Sequence, residues 1–382
     1  MNKRIAYEID NLANNGNDKV DVWGKRWNKV RANYAKSVLA VKPSLAIKQL
    51  TSFPAYWENV STKDFIAGVA DFFAHPKEAM RTLGGTTLMK TRDTDIIRDF
   101  DQMSKSNLFA KMKKAKGKIK WNDLLMFNIK FGDRGAIYMG GWALYKSELN
   151  KNLKAGMSEK EAKTKALEAF ERITDETQQS GRLSQQSYMQ SNSALRAFTM
   201  FTSSQNQYLR KEINAIRGLA TGRMSKAKAA KTIFIYHVLL PVFFQVVSDG
   251  FRWDKDNDLR AAVLGSLNGW FILNKVLENV YNWITDNSNM FTTRMSVRDL
   301  VPFWGSIEDL KNDLLKFADD EMDLEDVLDV IKPIGEVTGL PLKYAKDVVE
   351  NAGEYADEGE YGKELLLWLG WSPYSLRDSD DE

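Results

Sequence analysis

The sequence predicts an all-α protein: a multi-helix elongated bundle with an apolar helical hairpin and an acidic C-terminal helical segment. Three observations carry that expectation. Only 8 prolines interrupt 382 residues, and proline is the residue that helices tolerate least. Apolar side chains recur at spacings of three and four through most of the chain, which is one face of a helix. The 43% hydrophobic and 27% charged fractions belong to a chain that folds.

Composition also removes chemistries. With no cysteine there is no disulfide framework, zinc ribbon, iron–sulfur cluster or thiol nucleophile. The only histidines are His75 and His237, so a histidine-rich metal site or a Ser-His-Asp triad is not expected. No residue is singled out as catalytic, cofactor-binding or metal-ligating, and no enzymatic activity is expected. The net charge of +3 hides a split. Residues 301–382 hold 7 basic and 22 acidic side chains, while residues 1–300 hold 47 basic and 29 acidic. A basic body suits phosphate, and the acidic tail balances it or keeps it soluble.

Four regions follow: 1–120, 121–231, 232–300 and 301–382. In the first, the opening MNKRIAYEIDNLANNGN lacks the apolar run of an export signal. Trp23, Trp27, Val30 and Tyr34 share a helix face. Ser61 or Thr62 caps the helix in STKDFIAGVADFFAH. His75, directly before Pro76, sits where an imidazole caps helix-end carbonyls. Lys111, Lys113, Lys114, Lys116, Lys118 and Lys120, with Lys105, form an acid-free cluster ending at Trp121. Lysines beside an aromatic suit a DNA backbone or an anionic lipid surface. They carry no base-reading geometry, so DNA contact would be nonspecific.

In the second region, Gly132, Gly135, Ala136, Gly140, Gly141 and Ala143 give an apolar segment a small-residue face for close helix approach. Ser158 and Glu161 form a capping box ahead of the apolar face Ala166, Leu167, Phe170 and Ile173. A later helix is expected to bury Leu209, Ile213, Ile216 and Ala220.

The third region raises the membrane question. Thr232 to Ser248 runs 17 residues without formal charge, the lower limit for a span. Arg210, Lys211, Arg217, Arg223, Lys226, Lys228 and Lys231 precede it, with Glu212 the only acid among them, which is the positive-inside pattern. A second stretch, AAVLGSLNGWFILN, makes a hairpin around the charged tip DGFRWDKDNDLR. Ile233, Phe234, Val238, Leu239, Phe243, Phe244, Val247, Trp270 and Phe271 are the expected membrane-contacting residues. Arg223, Lys226, Lys228 and Lys231 join the lysine cluster as expected contacts to nucleic-acid or lipid phosphate. A mean hydropathy below zero keeps a second reading open, a soluble bundle with both stretches buried. A third reading shelters the hairpin in one state and inserts it in another.

In the acidic region, Ile307, Leu310, Leu314 and Phe317 share a face behind a Ser306/Asp309 cap, and Leu365 to Trp371 close the fold. The carboxylates lie opposite apolar faces, and no spaced acid/base pair stands out for glycoside cleavage.

The order of several segments resembles the helical C-terminal region of the very large polyvalent virion proteins of bacteriophages and mobile elements. The matching pieces are FGDRGAIYMGG (131–141), GMSEKEAKTKALEAFERI (156–173), QQSGRLSQ (178–185), LRAFTMFTSSQNQYLRKEINAI (195–216), KTIFIYHVLLPVFFQVVSDG (231–250), VRDLVPFWGSIEDL (297–310), TGLPLKY (338–344) and LGWSP (369–373). They cover about two-thirds of the chain, without the enzymatic domains such proteins carry upstream. The resemblance implies an internal virion or ejection protein, packaged in the capsid and then injected into the host envelope. Implied partners are copies of itself, other phage ejection proteins, double-stranded DNA without sequence preference and, conditionally, the host inner membrane. It implies no cofactor. The alternative is a soluble helical virion protein that binds DNA or the portal and never enters lipid.

Overall fold

The computed structural model describes residues 33–34, 37–39, 42–92, 127–178, 203–253, 255–266 and 342–376. Among these residues every regular element is helical. The lysine cluster 111–120, Trp23, Trp27, Trp270, Phe271 and the helix expected from Ser306 lie outside the described residues.

The body is built on one long helix. Helices α1 (Pro43–Leu50), α2 (Thr62–Ala74) and α3 (Pro76–Gly84), with a 3-10 turn at Phe53–Asn59, pack on α4 (Phe127–Lys154), as does α5 (Glu159–Thr177). The small-residue face expected of 132–143 makes this possible. A Cβ on Gly68 of α2 would overlap the Ala143 backbone, and one on Gly132 would overlap the Ala46 backbone. The helices are in backbone contact there, which only missing side chains permit. Gly140 and Gly141 take the rings of Tyr56 and Phe170 in the same way. Around them Phe72, Leu83, Met89, Ile137, Trp142 and Phe170 form the buried core.

Several polar groups inside this body are paired. Arg92 donates from Nε and Nη2 to the two carboxylate oxygens of Asp133, at 2.9 and 2.7 Å, and both side chains are buried. Tyr56 donates to Thr174 Oγ1 at 2.8 Å, and burial pushes the Tyr56 hydroxyl well above its usual pKa. Ser61 caps α2 by accepting from the Asp64 N–H, and Ser158 caps α5 by accepting from the Glu161 N–H. The apolar face of α5 is inward as expected. His75 behaves differently from expectation. Its ring turns back along α2 to Asp71, with Nδ1 3.2 Å from Oδ1, because Asp71 one turn earlier is a stronger acceptor than a helix-end carbonyl.

The second half forms a layer against this body. It contains α6 (Ser203–Ala220), α7 (Lys226–Ile233), a π-helical turn (Phe234–Leu239), α8 (Leu240–Ser248) and α9 (Lys255–Leu264). Helices α10 (Leu342–Asp357), α11 (Tyr361–Trp368) and α12 (Pro373–Leu376) close one end. Val348, Tyr355, Leu367, Trp371 and Leu376 surround Val247 there, and the Trp371 indole donates to the Val247 carbonyl at 2.9 Å. Ser44 ties α1 to the same end, donating from its backbone to Leu369 and from its hydroxyl to Gly370.

Candidate membrane-active helix

Helix α7, the π turn and α8 form one continuous helix, Lys226–Ser248. At 1.5 Å per residue its 23 residues reach about 34 Å, enough to cross a hydrocarbon core. Ser225 caps it, accepting from the Lys228 N–H. The π turn precedes Pro241, and the Leu240 N–H bonds to the Ile235 carbonyl five residues back. Proline has no N–H and its ring crowds the carbonyl four residues earlier. A widened turn relieves that crowding without breaking the helix.

One side of this helix is held by polar contacts. Glu58, on the 3-10 turn, accepts from Lys211 Nζ at 3.0 Å, from the Tyr236 hydroxyl at 3.0 Å and from the Thr232 hydroxyl at 3.3 Å. Lys231 donates to the Val60 carbonyl at 2.6 Å, and its ammonium lies 5.4 Å from the centre of the Trp57 ring. On the hairpin side, His237 Nδ1 is 3.1 Å from Glu212 Oε2, and Nε2 is 3.3 Å from the Val263 carbonyl. Gly265 leaves the room that the imidazole fills. Ala55, Ile235, Tyr236 and Leu240 supply the accompanying apolar contact.

The rest of the helix is only partly covered. Only 28% of the most apolar stretch of this helix is buried, and Phe234 and Phe244 are each 46% exposed. Ile233, Val238, Leu239 and Phe243 are half-buried, and Val247 is fully inside the C-terminal cluster. Of the expected membrane-contacting residues, the described ones thus share one helix but not one environment. Helix α9, which packs on α8 and on the π turn, takes in part of the expected charged tip and the first residues of the second apolar stretch; the rest of that stretch lies outside the described residues.

Among the expected phosphate contacts, Arg223, Lys226 and Lys228 are exposed at the start of α7. Lys231 is half-buried and engaged with Val60 and Trp57. Sequence periodicity missed Glu58, the residue that gathers the most polar contacts to this helix. A signal was present, since Glu58 is the only charged side chain between Lys48 and Lys63.

Helix α6 also departs from expectation. Gln207, Glu212 and Ala215 are buried, while Ile213, Ile216 and Leu219 are 37%, 57% and 42% exposed. The inward face is chosen by partners. Gln207 donates to the Glu176 carbonyl, Lys211 reaches Glu58 and Glu212 meets His237. Residues 207, 211 and 215 define one side of the helix, and the apolar row 209, 213, 216 and 220 lies on another.

No group of three or more His, Asp or Glu side chains able to hold a metal ion occurs among the described residues. Comparison with family models, with curated proteins and with solved structures returns no match.

Proposed function

We propose that this chain is an internal virion protein of a bacteriophage, delivered with the genome and assembled into a helical conduit through the host envelope. The observation that carries the reading is the helix Lys226–Ser248: spanning length, apolar residues only partly covered, and a polar latch from Glu58 and Glu212. A constitutive anchor has no use for a carboxylate on its flank, because buried charge in hydrocarbon is costly. A helix that leaves its shelter on a signal does: the latch satisfies its polar groups in the closed state.

In the conduit, helix association and apolar insertion do the work, and no covalent step is needed. A diffuse cationic lining of Lys and Arg side chains holds DNA loosely enough for sliding, since each contact is a point charge on phosphate. The reading predicts that the chain is present in purified virions and lost from them on genome ejection. Retention in emptied capsids would overturn it and favour the second reading, a soluble structural protein. The burial of Val247, Leu240 and Ile235 supports that second reading.

A further inference from the structure

We infer that α6 and the turn into α7 form a docking face for an anionic lipid surface, engaged before the apolar helix moves. This deepens the proposed function and rests on its premise that the chain meets a membrane.

The inference starts from which way α6 turns. Its exposed side carries Ile213 and Ile216 in a row with Ala220, and Arg210 and Arg217 stand beside them at i and i+7 around Ile213. Leu219 is exposed at the same end. An apolar row next to guanidinium groups is the pattern of a helix lying in a membrane interface. Exposed isoleucines at this spacing gain nothing from water, and arginines beside them leave no place for a cationic partner.

Acid distribution supplies the sign of the partner. From 203 to 231 the only carboxylate is Glu212, and the fold turns it inward against His237. Arg210, Arg217, Arg223, Lys226 and Lys228 are all exposed, so this stretch presents cations and no anion of its own.

The turn concentrates the charge further. Gly222 takes a positive φ of 69°, and the Met224 N–H returns to the Gly218 carbonyl. That closes α6 and starts α7 within five residues, bringing Arg217, Arg223, Lys226 and Lys228 to one end of the helix pair. Lys226 and Lys228 occupy the opening of α7, and no acid occupies its first turn. Helix starts carry partial positive charge and favour acids, so these lysines stand against the local field. An external phosphate relieves both.

Duplex DNA also offers phosphate, but it gives Ile213 and Ile216 nothing to enter. A bilayer with anionic headgroups meets both halves of the face: phosphates for the cations, acyl-chain boundary for the isoleucines. Docked this way, α6 lies along the surface and the start of the spanning helix sits at headgroup depth.

The test is flotation of the full chain with vesicles of phosphatidylcholine alone, or of phosphatidylcholine and phosphatidylglycerol in equal parts. Two variants accompany it: Arg210→Gln/Arg217→Gln/Arg223→Gln, and Ile213→Ser/Ile216→Ser. All five side chains are exposed, and an unchanged helical circular-dichroism signal confirms folding. The chain floats with the anionic vesicles and not with the neutral ones, and high salt releases it. The arginine variant loses affinity on the order of a hundredfold, and the isoleucine variant about tenfold or more. Equal flotation with neutral vesicles overturns the inference. So does an isoleucine variant that floats like the parent, or retention of duplex DNA that falls with the arginine variant while vesicles are ignored. Resistance to alkaline extraction is read separately. Salt-reversible docking without it keeps this face and sinks the inserting helix. Alkali-resistant insertion indifferent to both variants keeps the inserting helix and sinks this face.

Discussion

The α4-centred body and the α6–α9 layer are both helical, yet they are held by different forces. In the body, helices touch backbone to backbone across Gly68, Gly132 and Gly140, and the buried ion pair is a two-pronged Arg92–Asp133 contact. In the layer, the long helix rests on carboxylates: Glu58 on one side, Glu212 on the other, each gathering partners from a different helix. Close packing is lost only when the body opens, since interiors are dense and do not deform gradually. The seam's polar contacts are discrete hydrogen bonds around two mostly buried carboxylates, and each can break separately. The difference makes the layer the part expected to loosen first while the body stays folded.

Breaking the body's ion pair is the largest expected effect. Asp133→Ala removes the carboxylate that takes two N–H groups of the buried Arg92 guanidinium, at a cost of roughly 3–5 kcal/mol, and chemical denaturation should show the whole body destabilised. Glu58→Ala should cost less, about 1–3 kcal/mol, and should cost it locally. Hydrogen exchange is expected to rise along 226–248 while 132–145 stays protected. Equal loosening of both regions would erase the contrast.

Ser158→Ala removes the α5 cap and should lower stability by about 1 kcal/mol, read as a shift of the denaturation midpoint with no change at the seam. Acid gives the smallest effect. Burial alone would raise the Asp71 carboxyl, but the Trp142 indole N–H, Lys146 and His75 outweigh it and hold it below the usual range. Its contribution is therefore complete above the ordinary carboxylate pKa and is lost as pH falls through the lowered value. Asp71→Asn should flatten that part of the acid-stability curve, as followed by Trp fluorescence.

Much of the body was legible because its signals are local. A cap needs a serine three residues before the N–H it accepts, as at Ser158 and Glu161. A close helix crossing needs small residues at helical spacing, as in Gly132 to Ala143. The layer was less legible. The row Leu209, Ile213, Ile216 and Ala220 reads as a core face by periodicity, but its helix turns the other side inward. The candidate site was legible as a long apolar helix with a basic flank. Its latch was not, because Glu58 meets Tyr236 across 178 positions of chain.

By itself the sequence determined the helical class, the caps, the small-residue contact face of α4 and the uncharged run from Thr232 to Ser248 at the lower limit for a span. Each depends on residues within a few turns of one another. Only the tertiary structure decided which face of α6 is buried, that Val247 faces Trp371, and that Glu58 and Glu212 hold the apolar helix. Those choices depend on which partners the folded chain brings within hydrogen-bond reach, and helical periodicity alone carries no information about them.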